Sequence, residues 1–147
     1  MIRPYEETDL EACAAVYCSA FSAPPWNENW TDEIAQRRVY ELMCTPMSYG
    51  YVIAENEQIL GFAAGRLMTY LYGREYVIDE FCVAYDTQGR GVGSRLMQHI
   101  LKDMQERGCV GAVLNTTKGY PSERFYLKNG FRQNPDMITM FKELHRA

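Results

Sequence analysis

Residues Gln88-Gly89-Arg90-Gly91-Val92-Gly93 hold three glycines directly before an amphipathic run from Ser94 to Met104. Residues 76–85, just upstream, are rich in β-branched and aromatic side chains and read as a strand. A glycine-rich turn between strand and helix leaves backbone N–H groups bare and approachable. The helix N-terminus adds roughly half a positive charge. Together these make an anion site suited to a pyrophosphate, so the pattern predicts a phosphorylated cofactor. A triphosphate-binding loop would need Gly-Lys-Ser/Thr, which this turn lacks. A dinucleotide fingerprint would place Gly-x-Gly-x-x-Gly near the start of a βαβ unit. Here the spacing is Gly89-x-Gly91-x-Gly93, past the middle of the chain and after an antiparallel meander.

The elements that must position this turn follow from periodicity and punctuation. Residues 2–5 read as a first strand. Thr8 or Asp9 can cap a helix over residues 10–21 with Leu10, Cys13, Ala14 and Tyr17 on one face. Pro24-Pro25 breaks the next segment, and Trp26 and Trp30 are too costly to leave in water. Thr31 or Asp32 caps a second helix to residue 44. Residues 49–54 and 60–71 form an antiparallel hairpin around Glu55-Asn56-Glu57-Gln58. The strand over 76–85 and the glycine-bearing helix come next, the helix burying Val92, Leu96, Ile100 and Met104 and ending at Arg107-Gly108. A buried strand spans 110–115, and a short helix runs from Pro121 or Ser122 to Asn129-Gly130. Residues 130–132 and 137–141 are expected to close the chain as an antiparallel strand pair.

The 147 residues suit one domain over the whole chain, 1–147, with no repeat or linker. Net charge is −4 with no basic stripe, which argues against nucleic acid and mildly favours a cationic partner such as an amine. No apolar run reaches the length of a bilayer span, so no membrane partner is expected. The five cysteines contain no Cys-x-x-Cys pair and read as reduced, mostly buried thiols of a cytoplasmic protein. The N-terminus does not read as a signal peptide. No His/Cys/Asp cluster has metal-ligand spacing. His99 reads as solvated and His145 as inert.

Gln88-x-x-Gly91-x-Gly93, five residues after Val83, resembles motif A of the GNAT superfamily of acyl-CoA-dependent N-acyltransferases. Phe125-Tyr126-Leu127-Lys128-Asn129-Gly130-Phe131 resembles that family's second signature, and Ile2-Arg3-Pro4 with Asp9-Leu10 its opening. The order of elements is similar from end to end. The resemblance implies an α/β (α+β) fold: a mixed central sheet of about seven strands with splayed central strands, and about four helices.

It also implies roles. Residues Gln88, Gly89, Arg90, Gly91, Val92, Gly93 and Ser94 would bind the coenzyme A pyrophosphate, with Arg90 either near a phosphate or merely at the surface. Phe81, Cys82 and Val83 would offer backbone groups to the pantetheine arm, and Asn115 a polar contact. Acyl transfer requires a neutral amine, a stabilised thioester oxygen and a protonated leaving thiolate. Tyr126 matches a tyrosine acid in the family, or else packs between helix and strand. Glu80 or Asp79 could serve as base. Adjacent residues of a strand point to opposite faces, so at most one should reach the cleft, and neither need do so. Cys82 fits a buried strand thiol better than a nucleophile.

Acceptor specificity in such a fold resides around the segment that here holds Trp26, Glu28 and Trp30. The tryptophans either wall a cationic pocket or plug the core, and Tyr70, Tyr72 and Tyr120 can rim the cleft. The expectation is an N-acetyltransferase carrying acetyl from acetyl-CoA to a primary amine of a small molecule, with no metal and a possible homodimer. A protein or peptide acceptor, or a non-catalytic acetyl-CoA sensor, are the alternatives.

Overall fold

The computed structural model describes residues 1–145. Five strands, β1 (Ile2–Pro4), β2 (Tyr51–Glu55), β3 (Gln58–Tyr70), β4 (Gly73–Val83) and β5 (Cys109–Val113), form one sheet in the order β1-β2-β3-β4-β5. The first three pairings are antiparallel and β4–β5 is parallel. Four α-helices accompany them: α1 (Leu10–Ser22), α2 (Asp32–Met43), α3 (Val92–Glu106) and α4 (Pro121–Lys128).

Local chemistry explains most boundaries. The β2–β3 hairpin turns through Asn56 and Glu57, both in the left-handed region at φ 51° and 65°, as a tight two-residue hairpin requires. Thr31 caps α2 by accepting a hydrogen bond from the Ile34 N–H at 3.2 Å. Asp9 does not cap α1 with its side chain. Instead it grips Arg3 through two bonds of 2.7 and 2.8 Å and accepts the Glu6 N–H at 2.8 Å, so a short 3₁₀ turn over Glu7–Asp9 precedes the helix. The guanidinium of Arg3 holds the Asp9 carboxyl below the usual carboxylate range.

The helices cover both faces of the sheet. On one, α1 and α2 bury Cys13, Val16, Tyr17, Ala35 and Val39 against Val52, Phe62, Ala64 and Cys82. On the other, α3 buries Leu96, Met97, Ile100 and Met104 against Tyr51, Ile53, Ala63, Tyr76 and Ile78. Side chains alternate as the pleat dictates over Tyr51–Ile53 of β2 and Phe62–Ala64 of β3. In β4 the alternation breaks. Tyr76 and Ile78 face α3, but so do Phe81 and Val83, while Cys82 faces α1 and α2. The cause is a bulge: Ala64 of β3 pairs with Glu80, whereas Gly65 pairs with Ile78, so Asp79 is an extra residue.

Among the described residues the expected mixed sheet, splayed strands and four helices are present, with five strands rather than about seven. Residues 130–132 and 137–141, expected as the closing pair, form no strand among the described residues. A strand exists only against a ladder partner. Here the segment after Phe131 runs exposed, with a local turn bond from the Met137 N–H to the Asn134 carbonyl (3.3 Å) in place of a ladder.

Gly65 lies beneath the buried Tyr76 ring, where an added Cβ would overlap the ring itself. Tyr76 is fixed by its hydroxyl, which donates to the Tyr49 carbonyl at 2.6 Å. Gly65→Ala is therefore expected to lose about 1–3 kcal/mol of stability, read from the midpoint of urea unfolding. An unchanged midpoint would contradict this packing.

Candidate active site

The site begins where two strands part. The parallel β4–β5 ladder ends at Val77 and Val113, yet β4 continues, paired to β3, as far as Val83. The stretch from Ile78 to Val83 thus has an edge that β5 does not occupy. Phe81, Cys82 and Val83, expected to face a pantetheine arm, lie on this stretch. Phe81 is half-buried and stacks on Phe125 of α4, ring centres 5.4 Å apart. Asn115 is exposed two residues beyond β5, on the side where the strands diverge.

The glycine turn follows directly. It is braced by a 3₁₀ turn over Tyr85–Thr87, whose Tyr85 N–H donates to Ser19 Oγ of α1 at 2.9 Å. The Gln88 side-chain amide donates to the Val83 carbonyl at 3.0 Å, so it ties the turn to the strand end. Gly89 and Gly91 adopt φ of +80° and +78°, which favours glycine, and no atom lies within 4 Å of where a Cβ would stand. Gly91 is the N-cap of α3 and makes no side-chain cap bond. The N–H groups of Val92, Gly93 and Ser94 precede the first intrahelical bond, from Arg95 to the Gly91 carbonyl at 3.0 Å. They meet open space at the positive end of the helix dipole. Gly93 serves differently: its added Cβ would sit 3.3 Å from the Phe125 ring, so glycine lets α4 close on α3. Arg90 is exposed beside the turn.

The bulge decides where the carboxylates go. With the parity reversed, Glu80 joins Cys82 on the α1–α2 face instead of following Tyr76 and Ile78 toward α3. It meets Arg38 of α2 at 3.3 Å. Asp79 makes two bonds with Arg66 of β3, 2.7 and 2.9 Å long. Gly65 faces Tyr76, so Arg66 takes the opposite, α1–α2 face. Glu80 thus takes the α1–α2 face, while Asp79, the extra residue of the bulge, is held by Arg66. Their chemistry differs. Asp79 is saturated by a forked guanidinium. Burial raises the Glu80 carboxyl above its ordinary range, and Arg38 only partly offsets this.

Tyr126 of α4 is half-buried among Phe81, Phe125 and Phe131. Burial, and then the nearby Glu80 carboxylate, push its phenol well above the ordinary tyrosine value. It therefore keeps its proton at neutral pH. The same coupling puts Tyr126, Glu80 and Cys82 within electrostatic reach of one another. Cys82 is buried and its thiol is pushed far up, which leaves it a neutral, unreactive group.

The segment between α1 and α2 is bound into an aromatic chain. Trp30 meets Tyr17 edge-on at 4.6 Å, Tyr17 meets Phe21 at 4.7 Å, Phe21 meets Trp26 at 5.3 Å, and Trp26 meets Tyr120 at 4.7 Å. The Trp30 indole N–H donates to Glu28 Oε1 at 3.0 Å. Trp26 and Trp30 are half-buried and Glu28 is exposed, so the segment both covers the α1–α2 core and presents a face outward. Tyr70 and Tyr72 stand exposed around the β3–β4 turn. Arg38, Arg66 and Ser19 escaped the sequence reading, because their partners come from other elements and no local spacing marks them. Among the described residues no cluster of His, Cys, Asp or Glu could hold a metal ion.

Splayed central strands, a bare-amide glycine turn opening a helix, and a tyrosine-bearing helix alongside define an acyl-CoA-dependent acyltransferase of one widespread architecture. The sequence bears this out: residues 10–131 match the Acetyltransferase (GNAT) family, and the chain belongs to it. A search of curated proteins finds no sequence match. Among solved structures the chain is similar to a possible acetyltransferase from Clostridium difficile 630, with TM-score 0.82 and 13% identity over 99% of this chain and 98% of that one. It is similar to an aminoglycoside N-acetyltransferase in complex with CoA, with TM-score 0.73 and 17% identity over 98% and 95% of the two chains. A transcriptional regulator from Bacillus halodurans C-125 gives TM-score 0.77 and 23% identity over 97% and 99%. At such identities these likenesses speak to the fold alone. No helix among the described residues is long and apolar enough to cross a membrane.

Removing the Arg38 guanidinium should strand the Glu80 carboxylate. Arg38→Met is expected to lower stability by about 1–2 kcal/mol at neutral pH, a modest figure because the arginine is partly solvated. The folded-state pKa of Glu80 would rise further, so the penalty is full above that pKa and vanishes below the unfolded value. Urea unfolding at pH 7.5 and at pH 4 checks this; an equal loss at both would contradict the ion pair.

Proposed function

We propose that this protein transfers an acetyl group from acetyl-CoA to a primary amine of a small molecule, within the activity its family defines. One observation carries the reading: the bulge at Asp79 sets Glu80 beside the same open stretch of β4 that leads into the bare-amide turn. The residues fit coenzyme A. Amides 91–94 and the α3 dipole suit its pyrophosphate, with Arg90 adding charge, and the free edge along Phe81, Cys82 and Val83 suits the pantetheine arm. Asn115, exposed just beyond β5, would add a polar contact.

Bound acetyl-CoA supplies an activated thioester. Glu80 takes the proton that the attacking amine must lose, and its raised pKa makes it a better base near neutral pH than a solvated carboxylate. Backbone N–H groups along the β4 edge can stabilise the developing oxyanion. Tyr126, protonated at neutral pH, gives its proton to the departing thiolate. Asp79 is a positioning residue that fixes the bulge through Arg66. The acceptor lies against Trp26, Trp30 and Tyr120, with Glu28 favouring a cationic amine. Two aminoglycoside acetyltransferases among the similar structures are in keeping with a small-molecule acceptor. The free cysteines suit a reducing compartment, in keeping with the cytoplasm.

The test is free-thiol release from acetyl-CoA with polyamines, aminoglycosides, amino acids and short peptides as acceptors. Turnover with a small amine is the expected result. Turnover with peptides alone would move the acceptor class, and tight acetyl-CoA binding with no turnover would contradict the transferase reading. Gly91→Val, which forces a β-branched residue to positive φ, should weaken CoA binding at least about tenfold by calorimetry. Unaltered affinity would remove the turn from the cofactor site.

A further inference from the structure

The arginines that hold carboxylates on this sheet are used unequally. Arg3 grips Asp9 through two bonds of 2.7 and 2.8 Å, and Arg66 grips Asp79 through two of 2.7 and 2.9 Å. Arg38 meets Glu80 by a single bond from Nη2 to Oε2, and at 3.3 Å it is the longest of the set. The Tyr17 hydroxyl also lies beside Arg38. A guanidinium carries five N–H donors in a flat fork, so these two neighbours leave donors over. The Arg38 side chain is 43% exposed against 14% for Glu80, which leaves those donors open to a ligand.

Arg38 stands where the acceptor must come. Glu80 is the base assigned to the reaction, and Tyr17 meets Trp30 of the acceptor segment edge-on at 4.6 Å. An amine that gives its proton to Glu80 therefore lies within reach of the Arg38 fork. A simple ammonium gains nothing from that neighbour, because like charges repel. A zwitterion gains twice: its ammonium meets the Glu80 carboxylate and its acid group meets the guanidinium. An α-amino acid carries both groups on one carbon, a spacing matched to partners 3.3 Å apart. The fork can take a carboxylate through two parallel bonds, which a lysine ammonium cannot copy.

Resting on the transferase reading above, we propose that the acceptor is a free α-amino acid, its amine at Glu80 and its carboxylate held by Arg38. Trp26, Trp30 and Tyr120 then wall its side chain. Arg38 acts in acceptor specificity, not in the proton transfers.

The test is free-thiol release from acetyl-CoA with phenylalanine, methionine, arginine and glutamate, each beside its α-carboxamide and its decarboxylated amine. The amide's amine is more acidic than the amino acid's and the decarboxylated amine is less acidic, so amine basicity cannot favour the amino acid over both. The expected result is at least one amino acid whose kcat/KM exceeds that of both counterparts by about tenfold or more. Arg38→Lys, which keeps a cation beside Glu80, should raise KM for that amino acid at least about tenfold and leave KM for its two counterparts unchanged. Counterparts used as well as every amino acid would overturn the assignment and leave the transferase standing. An equal rise in KM for all three head groups would reduce Arg38 to a structural role and overturn it too. Silence with every compound, alongside tight acetyl-CoA binding, would overturn the transferase reading and this proposal with it.

Discussion

One extra residue in β4 governs the geometry of the whole site. A regular strand would carry Glu80 to the α3 face, with Tyr76 and Ile78, into the most apolar part of the molecule. The bulge at Asp79 inverts the parity for the rest of the strand, so Phe81 and Val83 continue the α3-side core and Glu80 turns to the opposite side. A buried carboxylate is tolerated there because Arg38 reaches it from α2. Bulges raise local twist, in keeping with the parting of β4 from β5 a short distance away.

That parting and the glycine turn form one construction. β4 supplies an unpaired edge, and the chain then bends through Gly89 and Gly91 to aim the amides of α3 back along it. Gly93 lets α4 approach closely enough to bring Tyr126 beside Phe81 and within electrostatic reach of Glu80. The acid and base assigned to the reaction thus come from a helix and a strand far apart in sequence. Each is tuned by burial: the carboxyl is made more basic and the phenol is held protonated.

Much of this was legible in the sequence. Apolar spacing at Val92, Leu96, Ile100 and Met104 marked the α3 face, Thr31 marked the start of α2, and Asn56 marked the hairpin. The glycine turn announced itself because positive φ and bare amides demand glycine. The bulge did not, because an inserted strand residue has no composition of its own and shows only against the register of its partner. Strict alternation along β4 therefore cannot say which face Glu80 takes. The ion pairs of Arg38 and Arg66 were equally hidden, since each joins elements that only folding brings together. Residues 130–132 and 137–141 have the composition of strands, but composition does not supply a ladder partner.

The pH dependence of kcat, for the unmodified protein and for Glu80→Gln, tests the bulge-positioned base most directly. The account predicts an acid limb at a pH above the ordinary carboxylate range, because burial raises Glu80 and the base works only when deprotonated. It predicts that Glu80→Gln abolishes this limb and lowers kcat on the order of 10²-fold. An unchanged limb and an unchanged kcat in the variant would contradict it.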